Sequence, residues 1–169
     1  MHRFIRIQNN IINTMIKIRP IGIVDIDIVF DHACLLANNS GTKSPDFVLT
    51  RERLYEELFG SKASWHGLLA IKNQKVIGSC LYGFADTNRP FNKTACLFLD
   101  ILFIEPNYRK KGVGQLLMDE LTKIAQNKKL SRIEFWCMKN NIAANEFYRK
   151  IGAKEVDTLN VYNLDINQL

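Results

Sequence analysis

The chain has 169 residues, 47% of them hydrophobic and 24% charged, with a formal net charge of +6. Those values suit one globular domain with a core of its own. The basic residues are spread along the chain and gather only at Arg109–Lys111 and Lys128–Lys129, without the basic stripe and interleaved aromatics of a nucleic-acid face, and no apolar run approaches the roughly 20 residues that span a bilayer. Neither nucleic acid nor a membrane is expected as a partner.

In chain order, the first fourteen residues carry His2, Arg3 and Arg6 and no acid. Asn9, Asn10 and Asn13 break their apolar stretches, so residues 1–14 read as a loose arm, with Met15 as an alternative start. Met15 to Arg19 alternates like a strand. Pro20 and Gly22 interrupt it, and Asp25 is placed to cap a helix running to about Ala37. Asn38 to Asp46, with Gly41 and Pro45, reads as a loop. Thr50 caps a second helix, spaced by Leu54, Tyr55 and Leu58 and ended by Gly60. His66–Ile71 and Lys75–Phe84 form a hairpin through Lys72-Asn73-Gln74. A polar loop, Asp86 to Lys93, leads into the apolar strand Cys96–Ile104, which Pro106 stops.

A helix from Val113 to Asn127 then sets Val113, Leu116, Leu117, Leu121, Ile124 and Ala125 on one face. Strand Arg132–Met138 follows, and a helix Ile142–Lys150 closed by Gly152. The tail Lys154–Ile166 alternates enough for one or two strands. The order βααβββαβαββ predicts a single α/β domain, residues 15–169, built on a mixed, mostly antiparallel sheet flanked by helices.

The four cysteines, Cys34, Cys80, Cys96 and Cys137, contain no C-x-x-C pair and have no histidine at metal spacing. They read as reduced thiols in a compartment such as the cytoplasm, and no metal is expected.

The most informative stretch is Tyr108-Arg109-Lys110-Lys111-Gly112-Val113-Gly114, between the apolar strand and its helix. A basic loop with two glycines at a helix N-terminus offers backbone N–H groups, half a positive charge and three cations to a phosphate. G-x-x-x-x-G-K-[ST] is absent, so this is no nucleotide-hydrolysing P-loop. The single G-x-G lacks the ribose-binding acid of a dinucleotide site. A diphosphate remains the fitting ligand.

R-x-x-G-x-G in that setting, followed by Asn141-Ile142-Ala143-Ala144-Asn145-Glu146-Phe147-Tyr148 and then Gly152-Ala153 in the pattern N-x-x-A-x-x-F-Y-x-x-x-G-A, resembles the GNAT superfamily of N-acetyltransferases. The resemblance covers Ile16 to about Asp165. Ile18-Arg19-Pro20, Val48-Leu49-Thr50, Leu97-Phe98-Leu99-Asp100 and Phe147-Tyr148 with its basic pair look most like the spermidine/spermine (diamine) N-acetyltransferases.

The resemblance implies acetyl-CoA as co-substrate, held by the main chain of Leu102, Phe103 and Ile104, by Arg109, Lys110, Lys111, Gly112, Val113, Gly114 and Gln115, and flanked by Asn141 and Ala144. It implies transfer of an acetyl group to the primary amine of a polyamine, a diamine or a lysine-like amino acid. Tyr148 is then the general acid and Asp100 a base acting through water, and a homodimer is expected. From pattern alone Tyr148 reads first as an aromatic packing in its helix, and Asp100 also admits the reading of a solvent-facing strand carboxylate. Where the resembled family has a second acid after the position of Asp100, this chain has Ile101. Polyamine-specific relatives carry an acid-rich loop where Asn38 to Asp46 has one acid and one base. Asp86, Asp100, Glu134 and Trp136 are the candidate amine-site residues. Acetylation of a protein lysine or N-terminus, and a CoA-binding module without catalysis, are the alternatives.

Overall fold

A computed structural model describes residues 16–39, 47–85 and 95–156 of a chain that divides into two compact units, Met1–Trp136 and Cys137–Leu169. The expected arm at residues 1–14, the loop after residue 39, the loop Asp86–Lys93 and the tail strands beyond Val156 lie outside the described residues.

The first unit is built on five strands in the order of the chain: β1 (Ile16–Pro20), β2 (Trp65–Lys72), β3 (Lys75–Ala85), β4 (Cys96–Ile104) and β5 (Ile133–Phe135). All pairs are antiparallel except β4 with β5, so the sheet is mixed and mostly antiparallel as expected. The hairpin forms because Asn73 and Gln74 both take positive φ, 49° and 64°, the left-handed pair that matches the twist of its strands. Leu68, Leu69, Ala70, Ile77, Cys80 and Leu81 are buried in unbroken runs, the pattern of strands covered on both faces.

Helices α1 (Ile26–Asn39) and α2 (Arg51–Phe59) precede the hairpin, and α3 (Val113–Asn127) follows β4. One core layer gathers Ile21, Val29, Leu54, Leu69 and Leu81, with Leu58, Phe59 and Ile101 packed against it. α3 contributes Val113, Leu117, Leu121 and Ala125 from the stripe that its spacing predicts, all buried. Thr50 caps α2 as expected, its Oγ1 accepting from Arg53 N–H at 3.1 Å.

Two local expectations are corrected. Asp25 does not cap α1: it ends a 3-10 turn, Ile23–Asp25, and its carboxylate accepts from Gly22 N–H at 2.8 Å and from Arg19 at 2.6 and 2.8 Å. A buried carboxylate one strand-end away from an arginine is better satisfied by that bidentate pair than by a helix N-terminus. β5 stops at Phe135 instead of Met138, pairing only Leu97–Leu99 of β4. The next β4 residue is where the ladder to β3 breaks, and that irregularity turns the strand away.

In the second unit, α4 (Ile142–Lys150) starts at Asn141, whose Oδ1 accepts from Ala144 N–H at 3.2 Å. Gly152 follows it with φ of 92°.

Candidate active site

β4 carries the site because it is used differently along its two edges. Against β3, Ile101 pairs with Leu81 and Leu99 with Tyr82, so Asp100 is the extra residue of a bulge. Against β5 the ladder ends at Leu99. From Asp100 through Leu102, Phe103 and Ile104, the edge on that side faces no strand among the described residues. It is a row of main-chain donors and acceptors to which an extended amide chain can add as a strand would.

That edge runs straight into the basic loop. A 3-10 turn, Pro106–Tyr108, is followed by Arg109, whose Nε donates to Ile104 O at 2.9 Å and whose guanidinium lies 6.0 Å from the Phe103 ring centre. Arg109 therefore braces the strand end while keeping an exposed cation beside it. Lys110 and Gly112 both have positive φ, 58° and 86°. Glycine takes that conformation freely, whereas lysine takes it at a cost of roughly 1–2 kcal/mol. The outcome is a helix start with no side-chain cap and no acid in its first turn. The first-turn N–H groups, at Val113, Gly114 and Gln115, have no acceptor within the helix. Arg109, Lys110, Lys111 and Gly112 are exposed beside them, while Val113 is buried and pins the helix to the sheet. Gln115 reaches Asp119 on the next turn at 2.7 Å. Close approach of β3 to β4 requires Gly78: a Cβ there would sit 2.8 Å from Ile104 Cδ1 and 3.0 Å from Phe103 O, both on β4.

Asp100 is exposed yet set among packed neighbours. Partial desolvation first, and then the negative charge of Glu57, push its carboxyl from 3.8 up to about 6. Glu57 itself is half-buried on the last turn of α2 and is held by Ser64, whose N–H donates to its carbonyl at 3.0 Å and whose Oγ donates to its carboxylate at 2.8 Å. Two residues upstream of Asp100, the Phe98 ring meets Trp136 edge-on at 5.4 Å. Trp136 is 77% exposed, an open aromatic wall.

Of the other expected residues, Glu134 lies on β5 opposite Phe98 and pairs with Arg132. Asp86 lies outside the described residues. Asn141, Ala144 and Tyr148 belong to the second unit, where Asn141 and Ala144 make the helix cap and the Tyr148 ring lies 5.3 Å from Phe147. Sequence reasoning missed Glu57, although its place three residues after the buried Leu54 set it on the inner flank of α2. Phe98 was noted only as part of a motif. A cavity of about 430 Å³ at the end of β1, with Arg19, Trp65, His66 and Glu120 in its wall, includes none of the expected site residues.

Among the described residues no group of three His, Cys, Asp or Glu could hold a metal ion, and no helix is long and apolar enough to cross a membrane. Burial pushes the Cys80 thiol up to about 12, which makes it inert at neutral pH.

The chain is similar to the L-ornithine N5-acetyltransferase NATA1 of Arabidopsis thaliana, 23% identical over 153 residues, 90% of this chain and 67% of that protein. It is also similar to the spermine/spermidine N(1)-acetyltransferase of Bacillus subtilis strain 168, 31% identical over 78 residues, 46% of this chain and 51% of that one. It thus spans half to two thirds of the length of these relatives. The crystal structure of a predicted acetyltransferase with acetyl-CoA from Clostridium acetobutylicum shares the fold at a TM-score of 0.73 and 17% identity, over 92% of this chain and 99% of that one. The model of the acetyltransferase (GNAT) family matches residues 36–153, about 70% of the chain, and to that family this protein belongs.

Proposed function

We propose that the protein is an acetyl-CoA-dependent N-acetyltransferase acting on the primary amine of a small substrate: a polyamine, a diamine or a lysine-like amino acid. The observation that carries this reading is the join of a β4 edge that pairs with no strand among the described residues to an uncapped, basic α3 start, with the bulged Asp100 at the head of the same edge. These residues fit the cofactor. Main-chain groups of Leu102–Ile104 match the amides of a pantetheine arm, and the N–H groups of Val113, Gly114 and Gln115, with Arg109, Lys110 and Lys111, match a diphosphate.

Acetyl-CoA, when bound, supplies an acetyl thioester activated for attack by an amine. The amine is protonated at neutral pH, its pKa lying near ~10.4, and must lose that proton first. Asp100 attracts the ammonium and, through a water, takes the proton at its carboxylate; a base whose pKa lies just below the working pH suits that task. Main-chain N–H groups of β4 polarise the carbonyl under attack. Tyr148 holds at its hydroxyl the proton destined for the departing sulfur. Trp136 and Phe98 offer an apolar wall to an alkyl chain that ends in a cation. The names of the ornithine and spermine/spermidine relatives support this substrate class. A homodimer and a cytoplasmic setting are part of the proposal, on resemblance and on cysteines that are all free.

A thiol-release assay with acetyl-CoA against spermidine, putrescine, ornithine, lysine, thialysine and a lysine peptide tests it. Preference for one free amine is the expected result. Turnover of the peptide alone would assign the protein to protein acetylation, and acetyl-CoA binding without any turnover would leave a cofactor-binding module.

A further inference from the structure

His32, on the inner face of α1 between Val29 and Ala33, is 1% exposed and has no part in the transfer step. Its Nδ1 lies 2.9 Å from Ser79 Oγ on β3, and its ring stacks at 4.4 Å on Phe103 of β4. Its Nε2 has no hydrogen-bond partner among the described residues and faces Glu105 Oε1 at 3.8 Å. A neutral imidazole has one donor and one acceptor nitrogen. Were the proton on Nδ1, a bare lone pair would point at a carboxylate. With the proton on Nε2, the Ser79 hydroxyl donates to Nδ1 and the Nε2–H points at Glu105. Electrostatics select the second arrangement.

Glu105 is the joint between β4 and the basic loop. Its N–H donates to Ile77 O at 3.0 Å, and its carbonyl accepts from Tyr108 N–H at 2.8 Å, which closes the turn that delivers Arg109. Its side chain, 24% exposed, is the part that His32 faces.

We propose that His32 is a positioning residue for the cofactor: through Ser79 and Glu105 it fixes the joint from which the Arg109–Gly112 loop springs, and so sets acetyl-CoA affinity without touching acetyl-CoA. This rests on the assignment of that loop to the diphosphate. Substitutions separate the two claims. Asparagine at 32 keeps a partner for Ser79 but has nothing at the Nε2 position, whereas glutamine places a donor there.

Calorimetric Kd for acetyl-CoA, with KM and kcat on the best amine of the panel, are the measurements. His32→Asn and Glu105→Ala should each raise Kd and KM about fivefold with kcat within about twofold, and the double variant should lose no more than the worse single one, the mark of one shared interaction. His32→Gln should restore Kd to within about twofold of the parent. Unchanged Kd in both single variants, losses that multiply in the double one, or a fall in kcat at constant KM each overturn the proposal. Glu105→Ala reads the same contact should His32→Asn fail to fold. Gly112→Asp is the control for the loop. If it still binds acetyl-CoA, the loop assignment falls and this proposal with it; if it does not bind while the other variants are silent, the positioning role alone falls.

Discussion

Asp100 shows how the irregularity of a strand can set one residue apart from its neighbours. A regular ladder would pair it with β3; the bulge releases it, and partial desolvation first, then the charge of Glu57, disfavour its ionised form. In the proposed role its ionisation sets an acid limb with a midpoint near 6. Asp100→Asn should remove that limb and lower kcat/KM by about 10²–10⁴-fold, read from rate profiles between about pH 5 and pH 9; a profile identical to the parent's would exclude Asp100 as the base. Glu57→Gln removes the like charge, so the midpoint should move down toward the ordinary carboxylate range. Stability carries the opposite sign. A carboxyl whose pKa is raised by folding binds more protons folded than unfolded, so stability declines as pH rises from 3.8 to about 6. Asp100→Asn should therefore hold or raise Tm above that window while it destroys turnover, as expected of a group kept for chemistry. Tyr148→Phe tests the other end of the transfer. Loss of its hydroxyl should cut kcat about 10²-fold with acetyl-CoA Kd unchanged, and an unaltered kcat would leave the ring as packing.

At the scale of elements, β4 and α3 were legible because their signals are redundant: an apolar run closed by a proline, glycines in a basic loop, then apolar residues three and four apart along one helix face. The Asn73-Gln74 turn and the Thr50 cap were legible for the same reason, each being a local choice with a local cause. The bulge was not, because Leu99-Asp100-Ile101 alternates like any strand and the break exists only in the register with β3. The end of β5 was likewise set by its neighbour. Asp25 looked like a helix cap until Arg19, six residues away, was folded beside it. Glu57 and His32 acquire meaning only from what α2 and α1 pack against. Gly78 is a sharper case, since nothing local marks it, yet it lets β3 lie against Ile104 and the Phe103 carbonyl. Gly78→Ala should push that contact apart, destabilising the fold by about 1–3 kcal/mol in denaturant melts and weakening acetyl-CoA binding with it. An unchanged midpoint would mean that the strands yield freely there.

For the molecule as a whole, the pH dependence of folding should show two limbs with separate owners. Burial holds the His32 imidazole below its usual 6.5, against the pull of Glu105 and Asp31 and aided by Lys75. The unfolded chain therefore binds the extra proton first, and stability, complete above 6.5, falls as the pH drops from there toward the folded value. The second limb belongs to Asp25, which the Arg19 guanidinium, and to a smaller extent Gly22 N–H, hold below its usual 3.8. Its contribution is present above 3.8 and is lost as the pH falls below it. Asp100 runs against the upper limb between 3.8 and about 6, so that limb should be shallow in the parent and steeper in Asp100→Asn. Tm measured in steps from about pH 8 to about pH 3 separates the owners, because each limb should flatten in only one variant: the upper in His32→Gln, the lower in Arg19→Met. An upper limb that survives His32→Gln unchanged would show that His32 does not carry it. The acid weakness would then lie in a group other than the one that ties α1 to the start of the basic loop.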